Sequence, residues 1–184
     1  MFLAIFSATP IFISPFADCS VIVSQSANNN GTPVTPYHGN FLKPFSPGQS
    51  LRIKGFLLKK PDNEDRLVKI LLYNDNSSYE VEAALEVFIS SAGIVKEVTI
   101  QGNENEKIYA YYECNGTAII ENEFELRLYA QAEGRNELLV YLNECPLVGF
   151  DSGGLLDEGA IPQFVIDGDF ERLEEVNYYL AAYF

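Results

Sequence analysis

The sequence predicts an all-β domain arranged as an antiparallel sandwich or barrel. Three observations lead to this prediction. Apolar and polar residues alternate with a period of two in many short segments, as in the run from Phe124 to Tyr129. Turn-forming pairs such as Pro47-Gly48 and Asn115-Gly116 separate those segments. About ten short strands at this spacing are typical of sandwiches and barrels.

The individual strands follow from this alternation and from the turn residues between them. Residues 169–180 form the single helix-like stretch, whose pattern is ambiguous, and the first part of it is predicted as a strand. In chain order, the predicted strands cover residues 51–54, 66–73, 79–89, 94–100, 107–113, 124–129, 137–143, 161–167 and 170–178.

The N-terminal residues 1–19 are predicted to be a signal peptide. Their apolar runs are interrupted by Pro10 and Pro15, which makes them too short for a membrane span, and the small residue Ala17 precedes a cleavage position after Cys19. No Lys or Arg precedes the apolar run, so an irregular N-terminus or an early buried strand is the alternative. We therefore expect a secreted protein, or a cytoplasmic one if residues 1–19 are not a signal peptide. Residues 20–36 are predicted to be a polar linker, and residues 37–184 the β-domain.

Glycosylation signals and cysteines are consistent with secretion. Asn30, Asn76 and Asn115 each begin an Asn-x-Ser/Thr sequence, so a glycoprotein is predicted. The chain has three cysteines, and removal of residues 1–19 leaves Cys114 and Cys145. These two either form a disulfide or remain as buried free thiols.

The charge and the missing motifs exclude several classes of function. The 12 Lys and Arg against 26 Asp and Glu give a net charge of −14, which argues against nucleic acids and anionic membranes as partners and suits a basic protein partner. The single His makes zinc or multi-His sites improbable. The segment 149–153 is similar to a nucleophile elbow, but Asp151 stands where the Ser belongs. Glu121, Glu123 and Glu125 lack a calcium-type loop around them. We expect no enzyme activity, no cofactor and no metal.

Several segments, taken in order, resemble a galectin domain. The segment 47–55 is similar to an early galectin strand, residues 66–72 to the following one, and residues 140–143 to the family's V-x-V-N hairpin strand. Ile166-Asp167-Gly168-Asp169-Phe170 is similar to the closing I-x-G-D turn. The resemblance covers about residues 35–180 and implies a galectin-like jelly roll of two sheets, a glycan or glycoprotein ligand and a capacity for homodimers.

The resemblance also implies where a sugar would bind, and there the residues differ. In place of the family's H-x-N-x-R, this sequence has Glu86, Phe88 and Ser90, and the Asn of the next strand becomes Glu97. The W-G-x-E-x-R segment falls near residues 101–109, and the chain contains no Trp. The carbohydrate-binding positions implied by the resemblance are therefore Glu86, Phe88, Ser90, Glu97, Glu104, Lys107 and Tyr109.

Loss of these donors and of the Trp predicts that β-galactoside binding is weak or absent. Each unpartnered sugar hydroxyl costs about 1–3 kcal/mol, and an ionised carboxylate such as Glu86 only accepts hydrogen bonds. Aromatic and carboxylate side chains together still suit a sugar. The sequence therefore predicts a galectin-like lectin with a non-standard glycan site. The alternatives are a protein-interaction module of the same fold, or a solvated face that binds nothing by itself. The sequence leaves open which alternate residues face outward.

Overall fold

The computed structural model describes residues 20–22, 36–73, 81–102, 107–109, 119, 121–131, 137–143, 145–151 and 161–179. They contain twelve strands, which are β1 (Ser20–Ile22), β2 (Tyr37–Phe45), β3 (Ser50–Leu57), β4 (Arg66–Tyr73), β5 (Val81–Ile89), β6 (Val95–Gly102), β7 (Lys107–Tyr109), β8 (Glu123–Ala130), β9 (Glu137–Leu142), β10 (Cys145–Asp151), β11 (Ile161–Gly168) and β12 (Phe170–Tyr179). No helix in these ranges is long and apolar enough to cross a membrane.

The strands form two antiparallel sheets of six strands each. The first sheet has the order β1-β12-β3-β8-β9-β10, and the second has the order β2-β11-β4-β5-β6-β7. The all-β antiparallel sandwich predicted from the sequence is confirmed. Each sheet joins a run of consecutive strands, β8-β9-β10 or β4-β5-β6-β7, to strands from distant parts of the chain, so neither sheet is a local unit.

The period-two alternation divides each strand between the core and the surface. In β3, β4 and β8 every second residue is buried, while the residues between them remain partly or fully exposed. Ile53, Ile70 and Leu126 are fully buried examples from these three strands. The inner faces of the two sheets thus form one hydrophobic core, and their outer faces are left for solvent or ligands.

Three strands lie where the sequence analysis predicted none. β2 and β10 contain Pro44 and Pro146, which lack a backbone N–H and weaken a sequence-based strand prediction, but both strands are sheet edges, where Pro is tolerated. β1 lies within the predicted linker and pairs with residues 177–179 of β12. Its Val and Ile fit a strand.

Aromatic rings fill the core where β2, β11 and β12 come close together. The ring centroid of Phe41 lies 5.1 Å from that of Phe45, 4.7 Å from that of Phe164 and 4.9 Å from that of Tyr178. The Tyr178 hydroxyl donates a hydrogen bond to Gln49 Oε1 at 2.5 Å. Burial raises the pKa of Tyr178 to about 12. This buried phenol stays protonated and joins β12 to the turn before β3.

Candidate functional site

The outer face of the second sheet contains the strand that the sequence analysis connected with sugar binding. On β5, Ala83, Leu85 and Val87 are buried in the core, so Glu86 and Phe88 point outward. The structure therefore resolves the direction of the alternation, which the sequence left open. The neighbouring strands β4 and β6 place their own outward residues beside these two.

A Lys–Glu ion pair lies near the middle of this outer face. Lys69 of β4 is directly opposite Glu86 of β5, and its Nζ lies 2.8 Å from Glu86 Oε1. Both side chains are 30% exposed, so solvent and ligands can reach the ion pair. Such an exposed ion pair contributes little to the stability of the fold. Lys69 is a donor and Glu86 an acceptor, which means that together they can bind both ends of a vicinal diol.

An apolar surface adjoins this ion pair. Phe88 is directly opposite Leu67 of β4 on one side and Glu97 of β6 on the other. Phe88 and Leu67 are partly exposed, and Glu97 is exposed. Directly opposite residues have Cβ atoms about 4.5–5.5 Å apart, so the ring, the aliphatic side chain and the carboxylate form one continuous row.

The remaining implied sugar positions do not all join this group. The Ser90 hydroxyl accepts a hydrogen bond from the Ile94 amide at 3.1 Å, inside the turn between β5 and β6. Lys107 and Tyr109 pair with Gln101 and Thr99 in the backbone register, and nothing is described of their side chains. Glu104, Asn30, Asn76, Asn115 and Cys114 lie outside the described residues. Cys145, at the start of β10, is disulfide-bonded.

Lys69, Leu67 and Thr99 also belong to this face, although they were not predicted from the sequence. Thr99 lies opposite Glu86 on β6, although it is largely buried. The alternation of residues 66–73 already indicated that Leu67 and Lys69 share one side of their strand. The sequence does not give the register of β4 against β5. A shift of that pairing by one residue would change which residues of β4 lie beside Glu86 and Phe88.

Comparison with solved structures finds the same arrangement in known proteins. Sheep galectin-11 in complex with glycerol superposes with a TM-score of 0.58 and 18% sequence identity, covering 79% of this chain and 98% of that one. A doubly substituted human galectin-16 gives a TM-score of 0.52 and 18% identity over 80% of this chain and 96% of the other. A singly substituted human galectin-16 gives 0.53 and 16% over the same shares. This domain has a galectin-like fold.

The structural likeness is not accompanied by a family assignment from the sequence. No protein-family model matches the chain, and no curated protein sequence matches it either. At 16–18% identity the likeness establishes the fold and leaves the ligand to be argued from the residues.

The opposite face of the galectin-like domain, on the first sheet, contains the acidic residues that the sequence analysis weighed as a cation site. Glu125 Oε2 lies 2.7 Å from Arg52 Nη2 and 3.2 Å from Lys54 Nζ, and Arg127 Nε donates to Glu125 Oε1. Burial would raise the pKa of the Glu125 carboxyl, but the three cations outweigh it and hold the pKa at about 2. Within the described ranges no cluster of His, Cys, Asp and Glu could hold a metal ion. Glu125 is thus a structural anion.

Replacing Glu125 with Gln is expected to lower the free energy of unfolding by about 2 kcal/mol at pH 7. The folded pKa is about 2 against an ordinary 4.5, so the contribution is present above pH 4.5 and is lost as the pH falls toward 2. Urea titrations of the galectin-like domain at several pH values should show the difference between the two proteins shrinking to roughly half by about pH 3. Glu123→Gln, on the same strand but exposed, is the control and should change little. A difference independent of pH would contradict this role.

Proposed function

We propose that this domain binds glycans through the outer face of the second sheet, with Phe88 at the centre of the site. The observation behind the proposal is that Phe88, Leu67 and the Lys69–Glu86 pair lie side by side on partly exposed positions. The galectin-like fold supports a lectin at the level of analogy. We propose a binding role rather than an enzymatic one, and a secreted protein.

The proposed site offers the two kinds of contact that a pyranose requires. The Phe88 ring can pack against the apolar face of the sugar, with Leu67 extending that surface. Lys69 donates to hydroxyl oxygens and Glu86 accepts from hydroxyl groups, so adjacent hydroxyls can be held in a defined direction. The Lys69–Glu86 pair also keeps both charged groups in position before the ligand arrives, which lowers the entropic cost of binding.

The proposed preference differs from that for β-galactosides. Glu86 and Phe88 occupy the positions at which the resemblance places His and Asn, so the donors that would converge on an axial hydroxyl are replaced by an acceptor and an apolar ring. We therefore expect the protein to pass through a lactose column without retention. Retention followed by elution with free lactose would contradict the altered preference.

A glycan array tests the proposal, with Phe88→Ala as the decisive variant. The variant is expected to bind the best glycan at least about tenfold more weakly, because it removes the aromatic surface beneath the sugar. Phe56→Ala is the matched control, since Phe56 is a partly exposed aromatic on the outer face of the other sheet, where Arg172 lies 4.2 Å above its ring. Equal losses of glycan affinity in the two variants would show that the site does not lie at Phe88.

Absence of any array signal at high micromolar protein would contradict glycan binding as a whole. The protein-interaction module would then be the better hypothesis for this acidic, galectin-like domain. An intact-mass measurement of the protein from a secreting host tests secretion, since the expected product begins after residue 19 and contains glycans. A product that begins at Met1 and lacks glycans would contradict it.

A further inference from the structure

The carboxylates near the proposed site differ in whether a cation neutralises them. Glu86 is paired with Lys69, and the neighbouring Lys96 is paired with Asp65, with Nζ and Oδ1 2.7 Å apart. Glu97 is exposed and has no ion pair among the described residues. Lys69 and Lys96 are therefore both paired with carboxylates other than Glu97. Within the part of the chain that the structure describes, the Glu97 carboxylate beside Phe88 therefore has no neutralising cation.

An aromatic ring next to an unpaired carboxylate is a suitable site for an organic ammonium group. The negative face of the Phe88 ring attracts a cation within about 6 Å, and the Glu97 carboxylate can accept its N–H hydrogen bonds. The net charge of −14 strengthens the attraction for cations and disfavours sulfated or sialylated ligands. An acetamido group in the same place would bring no charge to Glu97.

We infer that the distinguishing group of the ligand is a protonated primary amine on an amino sugar, bound between Phe88 and Glu97. This inference rests on the proposed glycan site. In that site, Lys69 and Glu86 would bind the hydroxyl groups of the sugar ring whose amine lies between Phe88 and Glu97. A strongly basic peptide fits less well, because it brings no adjacent hydroxyl groups to the Lys69–Glu86 pair. A sugar with one amine per ring presents its charge to Glu97 and its hydroxyls to the Lys69–Glu86 pair.

The test compares two oligosaccharides that differ only in acetylation. Calorimetric titrations at about pH 6, where the sugar amine is protonated, would use a fully deacetylated glucosamine hexamer and an N-acetylglucosamine hexamer. The deacetylated hexamer is expected to bind about tenfold more tightly at low salt. This advantage should shrink in high salt, because the interaction involves exposed charges.

Glu97→Gln should remove most of that advantage while affecting the acetylated hexamer little. The matched control is Glu171→Gln, which removes one exposed charge from β12 of the other sheet and should leave the advantage intact. Equal effects of the two variants would reduce the inference to a net-charge effect and overturn it.

The remaining outcomes separate this inference from the proposed function. Tight binding of a neutral glycan at Phe88 without any preference for the amine would overturn the inference and leave the proposed function standing. Binding of oligolysine without binding of either hexamer or of any arrayed glycan would overturn both. A preference for the amine that survives in Phe88→Ala would place the amine site away from the ring and also overturn the inference.

Discussion

Arg66→Ala is expected to lower the free energy of unfolding by about 3–5 kcal/mol, because it removes a large, buried and hydrogen-bonded side chain. Arg66 is the first residue of β4 and is only 2% exposed. Its Nη1 lies 2.5 Å from Asn122 Oδ1, and its Nη2 lies 2.6 Å from the Ser90 carbonyl oxygen. The guanidinium thereby joins the turn after β5 to the turn before β8.

The large effect follows from what the substitution leaves behind. The partly buried Asn122 Oδ1 would lose its donor at a cost of about 1–3 kcal/mol, the Ser90 carbonyl oxygen would keep only the Gly93 amide at 3.0 Å, and a cavity would replace the side chain. Burial lowers the pKa of the Arg66 guanidinium, and the charge of nearby Asp169 opposes that shift. Arginine nevertheless stays protonated in proteins, so its hydrogen bonds are charge-assisted.

Denaturant titrations monitored by circular dichroism would measure the effect of Arg66→Ala. Arg172→Ala is the matched control, because the Arg172 side chain is 47% exposed and pairs with Glu174 at the surface, and it should cost less than about 1 kcal/mol. Arg66→Lys should fall between the two, since one ammonium cannot reach both turns as a planar fork does. Similar losses for Arg66→Ala and Arg172→Ala would show that the buried bonds contribute little.

Gly168→Ala is expected to cost at least about 3 kcal/mol and to lower the Tm by roughly 6–12 °C. Gly168 has φ +135°, a backbone conformation that L side chains rarely adopt, and a Cβ there would lie 2.2 Å from the Leu67 carbonyl oxygen. Moving the turn would also disturb Asp169, whose Oδ2 lies 2.8 Å from the Leu67 amide nitrogen and 2.7 Å from Lys60 Nζ. Neither backbone segment can shift without breaking bonds between β4 and the turn that joins β11 to β12.

Differential scanning calorimetry would measure this loss beside that of Gly149→Ala. The Cβ added at Gly149 would lie 2.7 Å from Leu139 Cδ2, the end of a partly exposed side chain that can rotate away. That control should therefore cost less than about 1 kcal/mol. If Gly168→Ala were as mild as Gly149→Ala, the I-x-G-D turn would not need its glycine.

The fold was largely predictable from the sequence because burial in a two-layer sheet imposes a strict alternation. The bounds of β4 were predicted to the residue, since Arg66–Tyr73 buries every second side chain. β2 and β10 were missed because Pro44 and Pro146 disfavour strands, and the sequence does not indicate which strands become edges. Which strands lie at the edges depends on how the strands pair in three dimensions. The period-two alternation within a strand contains no information about that pairing.

The candidate site was predictable only in part, for a related reason. Glu86, Phe88 and Glu97 were found through the galectin resemblance, and the structure places all three on one outer face. Lys69 was missed because its partnership with Glu86 depends on the register between β4 and β5. The ion pair also changes the chemistry expected at Glu86. The Glu86 carboxylate only accepts hydrogen bonds, but the paired Lys69 ammonium places a hydrogen-bond donor beside it.

Both sheets are completed by β11 and β12, the last two strands that the structure describes. β11 lies between β2 and β4, and β12 lies between β1 and β3. During synthesis, the edges of the N-terminal strands therefore stay unpaired until residues 161–179 have left the ribosome. A nascent chain with open strand edges and uncovered apolar faces is a substrate for chaperones and is prone to aggregate. Premature termination anywhere before β11 would leave a product that cannot close either layer.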